Sequence, residues 1–316
     1  MVILVKKFLS FLFLCGLLLL TCVYKDNITD YILMKYVNEK MIVVYENNQY
    51  AKSNTIDYQA TDNFYPKSKE DITNIFFTAL NGGWNDVTFF CTKNYKNCLA
   101  DVEDLASNSI TFTKINNYVH PFNSYKRIVL NYNSLGKVTI SIERLYDNND
   151  ITLINEKVNE IINEYITDDM NEREKIKVIH DYIINNTKYD EESAEKVKNN
   201  VKEYDFISHK ATGALINGKA ICGGYSDAMA VFLNKLNITN YKLTSDMHVW
   251  NYVLLNNKWL HLDLTWDDPV SSDNQNYLYH TYFLINNEAL KKADAGERTN
   301  IEEHNFNKYF YQEFFQ

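Results

Sequence analysis

The chain has 316 residues, 46% of them hydrophobic, and a formal net charge of −9. That length suggests two globular units, each large enough to bury its own core. The acidic balance excludes a surface built to bind phosphates, which depends on lysine and arginine, so no nucleic-acid partner is expected. Three prolines and nine glycines exclude a long flexible stalk.

At the amino terminus, Lys6 and Lys7 precede an uncharged apolar run from Phe8 to Tyr24. This is the layout of an export signal with its basic end held in the cytoplasm, which would put the rest of the chain outside. As a helix the run reaches about 25 Å, short of a hydrocarbon core of about 30 Å but adequate in a thinned bilayer. No clear small-x-small cleavage site follows, so a retained signal anchor over residues 1–24 is the first reading, with the membrane as a partner. Leu19-Leu20-Thr21-Cys22 resembles a lipoprotein box, with threonine a poor fit before the cysteine. A buried helix of the globular body is the third reading.

Residues 25–150 read as a small α/β domain of unassigned role. Ser68-Lys69-Glu70-Asp71 caps a helix carrying Ile72, Ile75, Phe76 and Leu80, and Gly82-Gly83 ends it. Strands are expected at Asp86–Phe90, Arg127–Tyr132 and Lys137–Glu143, the last two joined as a hairpin across Asn133-Ser134-Leu135-Gly136. Cys91 and Cys98 stand seven apart. Outside the cell they could form a disulfide, and they could equally be two reduced thiols.

Asp147-Asn148-Asn149-Asp150 marks a boundary, after which residues 151–316 form the second unit. Helical patterns run from Ile151 to Tyr165 and from Asn171 to Asn185, and His180 within the second reads as structural. The run from Tyr189 to Glu192, with the lysines after it, reads as a solvated helix face.

The segment Gly218-Lys219-Ala220-Ile221-Cys222-Gly223-Gly224-Tyr225-Ser226 leads into apolar positions Ala228, Met229, Phe232 and Leu236 at helical intervals, so Cys222 opens an amphipathic helix. Unpaired amides and the positive end of a helix dipole favour an anion at such a place. Gly223 and Gly224 either leave the backbone open to a substrate carbonyl or pack closely against a neighbouring strand; the two readings are even.

Two strand-like runs, His248–Leu255 and Lys258–Asp263, flank Asn256-Asn257. A two-residue turn there makes paired positions sum to 513, placing Asp263 opposite Trp250 and on the same face as His248. A three-residue turn would put the two side chains on opposite faces. Cys222, His248 and Asp263 are then a nucleophile, a base and an orienting carboxylate, the set needed to attack an amide carbonyl. A rival zinc site would use Cys222, His248, His261 and Asp263, but the sequence lacks the short ligand pairs of structural zinc. No cofactor or metal is expected. Asp267-Asp268 before Pro269 reads as turn chemistry, and Trp250 and Trp266 as core aromatics.

Together with Thr212-Gly213-Ala214-Leu215, the cysteine segment, His248-Val249-Trp250-Asn251 and His261-Leu262-Asp263-Leu264-Thr265-Trp266-Asp267-Asp268-Pro269 resemble the bacterial branch of the transglutaminase-like superfamily over roughly residues 170 to 290. The resemblance implies an α+β fold with a papain-like core, the cysteine helix packed on an antiparallel sheet. It also implies Cys222 as nucleophile, His248 as base and Asp263 as orienter. The superfamily includes transamidases, cysteine proteases and peptide glycanases. An upstream side chain often completes its oxyanion hole, and none in Asp205–Lys210 can be assigned to that role.

The implied chemistry is acyl transfer through a thioester on a protein or peptide substrate, with hydrolysis slightly preferred over transamidation to a lysine amine. A non-catalytic surface module of the same fold is the competing class.

Overall fold

A computed structural model of the chain describes residues 13–16, 20, 23–25, 40–45, 59–107, 109–199, 207–245, 248–270, 277–296 and 304. Most of the expected anchor lies outside these. Among the described residues no helix is long and apolar enough to cross a membrane.

The first part of the chain contains strand β1 (Lys40–Tyr45), helix α1 (Lys69–Asn81), strand β2 (Asp86–Phe90), helices α2 (Cys98–Ser107) and α3 (Ser109–Asn116), and the hairpin β3 (Tyr125–Tyr132) and β4 (Lys137–Arg144). Its four strands form an antiparallel sheet in the order β1-β3-β4-β2. As expected, the Ser68 side chain accepts from Asp71 N and starts α1, which buries Ile72, Ile75, Phe76, Ala79 and Leu80. The β3–β4 turn needs its glycine: Gly136 has φ +91, and a Cβ there would lie 2.3 Å from the Cys91 carbonyl oxygen. Cys91 and Cys98 are joined by a disulfide, with Cα atoms 5.6 Å apart, tying the end of β2 to the start of α2.

Next come α4 (Asn148–Tyr165), α5 (Glu172–Asn186), β5 (Lys188–Tyr189), α6 (Glu191–Lys198), β6 (Lys219–Ala220), α7 (Cys222–Lys235), β7 (Asn240–Thr244), β8 (Val249–Leu255), β9 (Lys258–Leu262), α8 (Leu264–Asp267), β10 (Phe283–Ile285) and α9 (Asn287–Gly296). The expected boundary residue Asp147 is the N-cap of α4, its side chain accepting from Asp150 N. A capping box between Asn171 and Glu174 starts α5. Strands β10-β9-β8-β7 form a second antiparallel sheet in that order, while β5 and β6 pair in parallel.

Two large hydrophobic clusters result. One lies between the first sheet and α1–α3, the other among α4, α5, α7 and the inner face of the second sheet. The expectation of an amphipathic cysteine helix is corrected here. Every residue of α7 from Cys222 to Leu233 is buried, because β8, α5 and the 207–217 segment cover it from different directions. Its polar residues are therefore paired. Asp227 takes the Lys242 ammonium at 2.7 Å and the Tyr146 hydroxyl at 2.8 Å, and Ser226 donates to the Val249 carbonyl at 3.0 Å.

Candidate active site

Cys222 is the first residue of α7, and no side chain among the described residues caps that helix. Its first amides thus have no partner within the helix. The adjacent loop is held close: Ile221 N donates to the Ser208 carbonyl at 2.9 Å, and a Cβ on Gly224 would lie 2.4 Å from that same oxygen. Close backbone packing therefore accounts for Gly224.

The hairpin forms in the expected register. Leu255 pairs with Lys258, Tyr252 with His261 and Asn251 with Leu262, across a two-residue turn in which Asn256 and Asn257 have φ of 51° and 58°. Positive φ at both positions suits the right-handed twist of the strands, and asparagine tolerates it. His248 directly precedes β8, where Ser245 Oγ accepts its backbone N–H at 3.1 Å and Ser245 N donates to its carbonyl at 3.0 Å. Asp263 directly follows β9. Its Oδ2 lies 2.5 Å from His248 Nε2, and Cys222 is close enough to the same imidazole to favour its charged form. The three expected side chains are brought together, with Cys222 6% exposed, His248 4% and Asp263 1%.

Burial by itself would discharge this site, and pairing prevents it. Desolvation disfavours the His248 cation, yet the charge and hydrogen bond of Asp263, with Cys222 adding to them, raise its pKa well above the usual value. Desolvation likewise works against the Asp263 anion, but His248 and a second imidazole, His304, hold its carboxyl well below the ordinary carboxylate range.

Sequence reasoning missed His304. Its Nε2 lies 2.9 Å from the same Asp263 oxygen, and its Nδ1 lies 2.7 Å from Asp294 Oδ1 on α9.

The rival zinc set does not form. His261 accepts the Trp250 indole N–H at 3.0 Å and bonds Asn287 at 2.7 Å, and burial pushes its pKa down to about 4, so it is a neutral core histidine. Two other groups place three possible ligand atoms within 4.8 Å of one another: His248 with Asp263 and His304, and His180 with Asp181 and His280. In both, imidazole–carboxylate hydrogen bonds already satisfy the groups, so protons do there what an ion would do.

The reading of Asp267-Asp268 as turn chemistry is also corrected. Asp267 is fully buried, lies 3.1 Å from His180 Nε2 and accepts Tyr282 N at 2.9 Å, while Asp268 accepts the Tyr225 hydroxyl. Of the Asp205–Lys210 stretch, in which no oxyanion donor could be assigned, residues 205–206 lie outside the described residues. His209 is half-buried there, and desolvation lowers its pKa to about 4.

Residues 159–264 match the family model described as the Transglutaminase-like superfamily, a span that contains Cys222, His248 and Asp263. A solved structure described as the crystal structure of a TGase aligns at 17% identity and a TM-score of 0.35, covering 48% of each chain. A second, described as a candidate cysteine protease from Cytophaga hutchinsonii, aligns at 13% identity and a TM-score of 0.28, covering 49% of this chain and 62% of that one. The chain thus spans less than two thirds of either structure. No curated protein sequence matches it.

Proposed function

We propose, on the premise of a transglutaminase-like core at residues 159–264, that the protein is a thiol enzyme opening protein amides through a Cys222–His248–Asp263 triad and a thioester. The single observation that carries this reading is the His248 ring, 2.5 Å from Asp263 and beside Cys222 in a buried site.

In this mechanism His248 takes the proton of the Cys222 thiol as the sulfur attacks. The sulfur attacks the carbonyl carbon, and the carbonyl oxygen takes up negative charge that the free amides at the start of α7 stabilise. His248 then gives its proton to the departing amine as the C–N bond breaks, leaving an acyl-cysteine and a neutral imidazole. That imidazole next takes a proton from water as the water attacks the thioester, and returns it to the sulfur as the acid is released. Asp263 keeps the ring oriented throughout and stabilises its charge.

Water is the acceptor in this reading. Transfer to a lysine amine is the second reading, favoured by the 6% exposure of Cys222, because water exclusion lets an amine compete. An extracytoplasmic, membrane-attached location is part of the proposal. The Cys91–Cys98 disulfide supports an oxidising compartment, and Lys6, Lys7 and the apolar run after them support export. Residues 25–150 are proposed to be a separate domain that packs beside the catalytic one.

The test is to incubate the folded protein with peptide substrates and a labelled amine, and to follow new peptide ends and incorporated label. Cys222→Ala is expected to abolish both while moving the melting temperature by only a few degrees, since it trades one small buried side chain for another. Turnover retained in that variant rejects the thiol mechanism.

A further inference from the structure

We propose that His304 is a positioning residue for the triad, pinning the Asp263 oxygen that also receives His248. This rests on the thiol-enzyme reading above.

Asp263 has four donors around its two oxygens. Oδ1 accepts Thr265 N at 2.9 Å and Trp266 N at 3.2 Å, the start of α8, while Oδ2 receives His248 at 2.5 Å and His304 at 2.9 Å. The backbone amides fix one oxygen and the two imidazoles fix the other, so the carboxylate cannot rotate without breaking bonds at both ends. Removing His304 leaves His248 alone to hold Oδ2, with an open lone pair in a dry site.

His304 is itself immobilised. Its ring is walled by Tyr282, Trp250 and Trp266 at 5.0, 5.1 and 5.2 Å between centroids, and its far nitrogen reaches Asp294. A neutral imidazole donates from one nitrogen only, and both nitrogens of His304 face carboxylates, so the geometry calls for an imidazolium. The charged or titratable groups against it are Asp263, Asp294, His248, His261 and Tyr282. Burial works against the cation; the bonds to Asp263 and Asp294 outweigh it and raise its pKa. Packing alone does not explain a histidine here, since an aromatic ring without nitrogens would fill the same space.

The test needs no substrate: the rate of Cys222 alkylation by iodoacetamide is measured from pH 5 to 10 in wild type, His248→Ala, His304→Ala and His304→Gln, with a thermal melt of each. Glutamine keeps a neutral donor for Asp263 and drops the charge. H304A is expected to lower the plateau rate at least about tenfold, as displaced reacting groups do, and H304Q to restore it to within about threefold. Loss of a cation strengthens proton binding by its neighbours, so both variants should move the profile upward by about half a pH unit or more. If H304A does not fold, H304Q decides through its profile shift. Folded variants with the wild-type rate and profile, or equal rate losses in H304A and H304Q, overturn the proposal and leave the thiol-enzyme reading standing. Wild type labelling no faster than H248A removes that reading, and the role of His304 with it.

Discussion

The two large cores solve different problems. Around α1, β3 and β4 the fully buried side chains include Ile72, Ile75, Leu80, Phe89, Phe112, Ile128 and Ile140, and the buried polar residues of that region are uncharged, such as Asn133 and Ser124. In the second region His180, Asp227, Lys242, His248, Asp263, Asp267 and Asp294 are all buried. The first region gains stability from buried apolar area, at about 25 cal/mol per Å², with the Cys91–Cys98 disulfide added to it. The second buries groups whose desolvation opposes folding, and it tolerates them because each has a hydrogen-bonded partner. A reacting centre needs tuned ionisable groups, so the less economical core is the one that can do chemistry.

The sharpest way to break this contrast is Asp263→Ala. It is expected to lower turnover by about 10³-fold or more, as loss of an orienting carboxylate does. It should also destabilise the second region, because His248 and His304 lose a shared acceptor. Full activity in this variant would show that the buried charges are scaffolding. Phe76→Ala tests the other core: urea unfolding should show a loss of about 3–5 kcal/mol, unchanged between pH 5 and 8. A strong pH dependence of that loss would show that the two cores are not energetically distinct.

Reducing the Cys91–Cys98 disulfide, which closes a seven-residue span, should cost the first region about 2 kcal/mol. Cys222 alkylation in the native protein should not change under the same conditions. The smallest effect is expected from Asp268→Asn. Burial raises the Asp268 carboxyl to about 6, so its folded pKa exceeds its unfolded one. The protonated group's contribution is complete below about pH 4 and is lost as pH rises through about 6. Wild type should therefore lose about 1–2 kcal/mol relative to the asparagine variant between pH 4 and 8. Unfolding midpoints that stay parallel across that range would refute it.

The hairpin was legible in the sequence because its information is local. Asn256-Asn257 between two β-rich runs fixes a turn length, turn length fixes register, and register fixes which side chains share a face. The start of the cysteine helix was legible for a similar reason. Its burial was not, because Ser226 and Asp227 look solvent-facing until Val249, Lys242 and Tyr146 arrive from distant parts of the chain. Distance in sequence also hid His304, which lies 41 residues from Asp263 and has no apolar periodicity pointing to it. Helices α2 and α3 are short, 10 and 8 residues, and in α3 Thr and Asn interrupt the apolar spacing. The Cys91–Cys98 pair could not be decided from spacing, since bonded and free thiols at seven residues apart read alike.

The enclosure of α7 on all sides means that the sulfur's setting is completed late. The helix, the sheet behind it and the 207–217 loop must all be docked before the first turn of α7 is dry, and the imidazole and the carboxylate that steadies it arrive together on the β8–β9 hairpin of that sheet. Under the proposed mechanism, a partly assembled chain therefore lacks the neighbours that would activate Cys222, and gains them only in the finished molecule. Such a chain is protected from modifying itself or its neighbours while it is still being made.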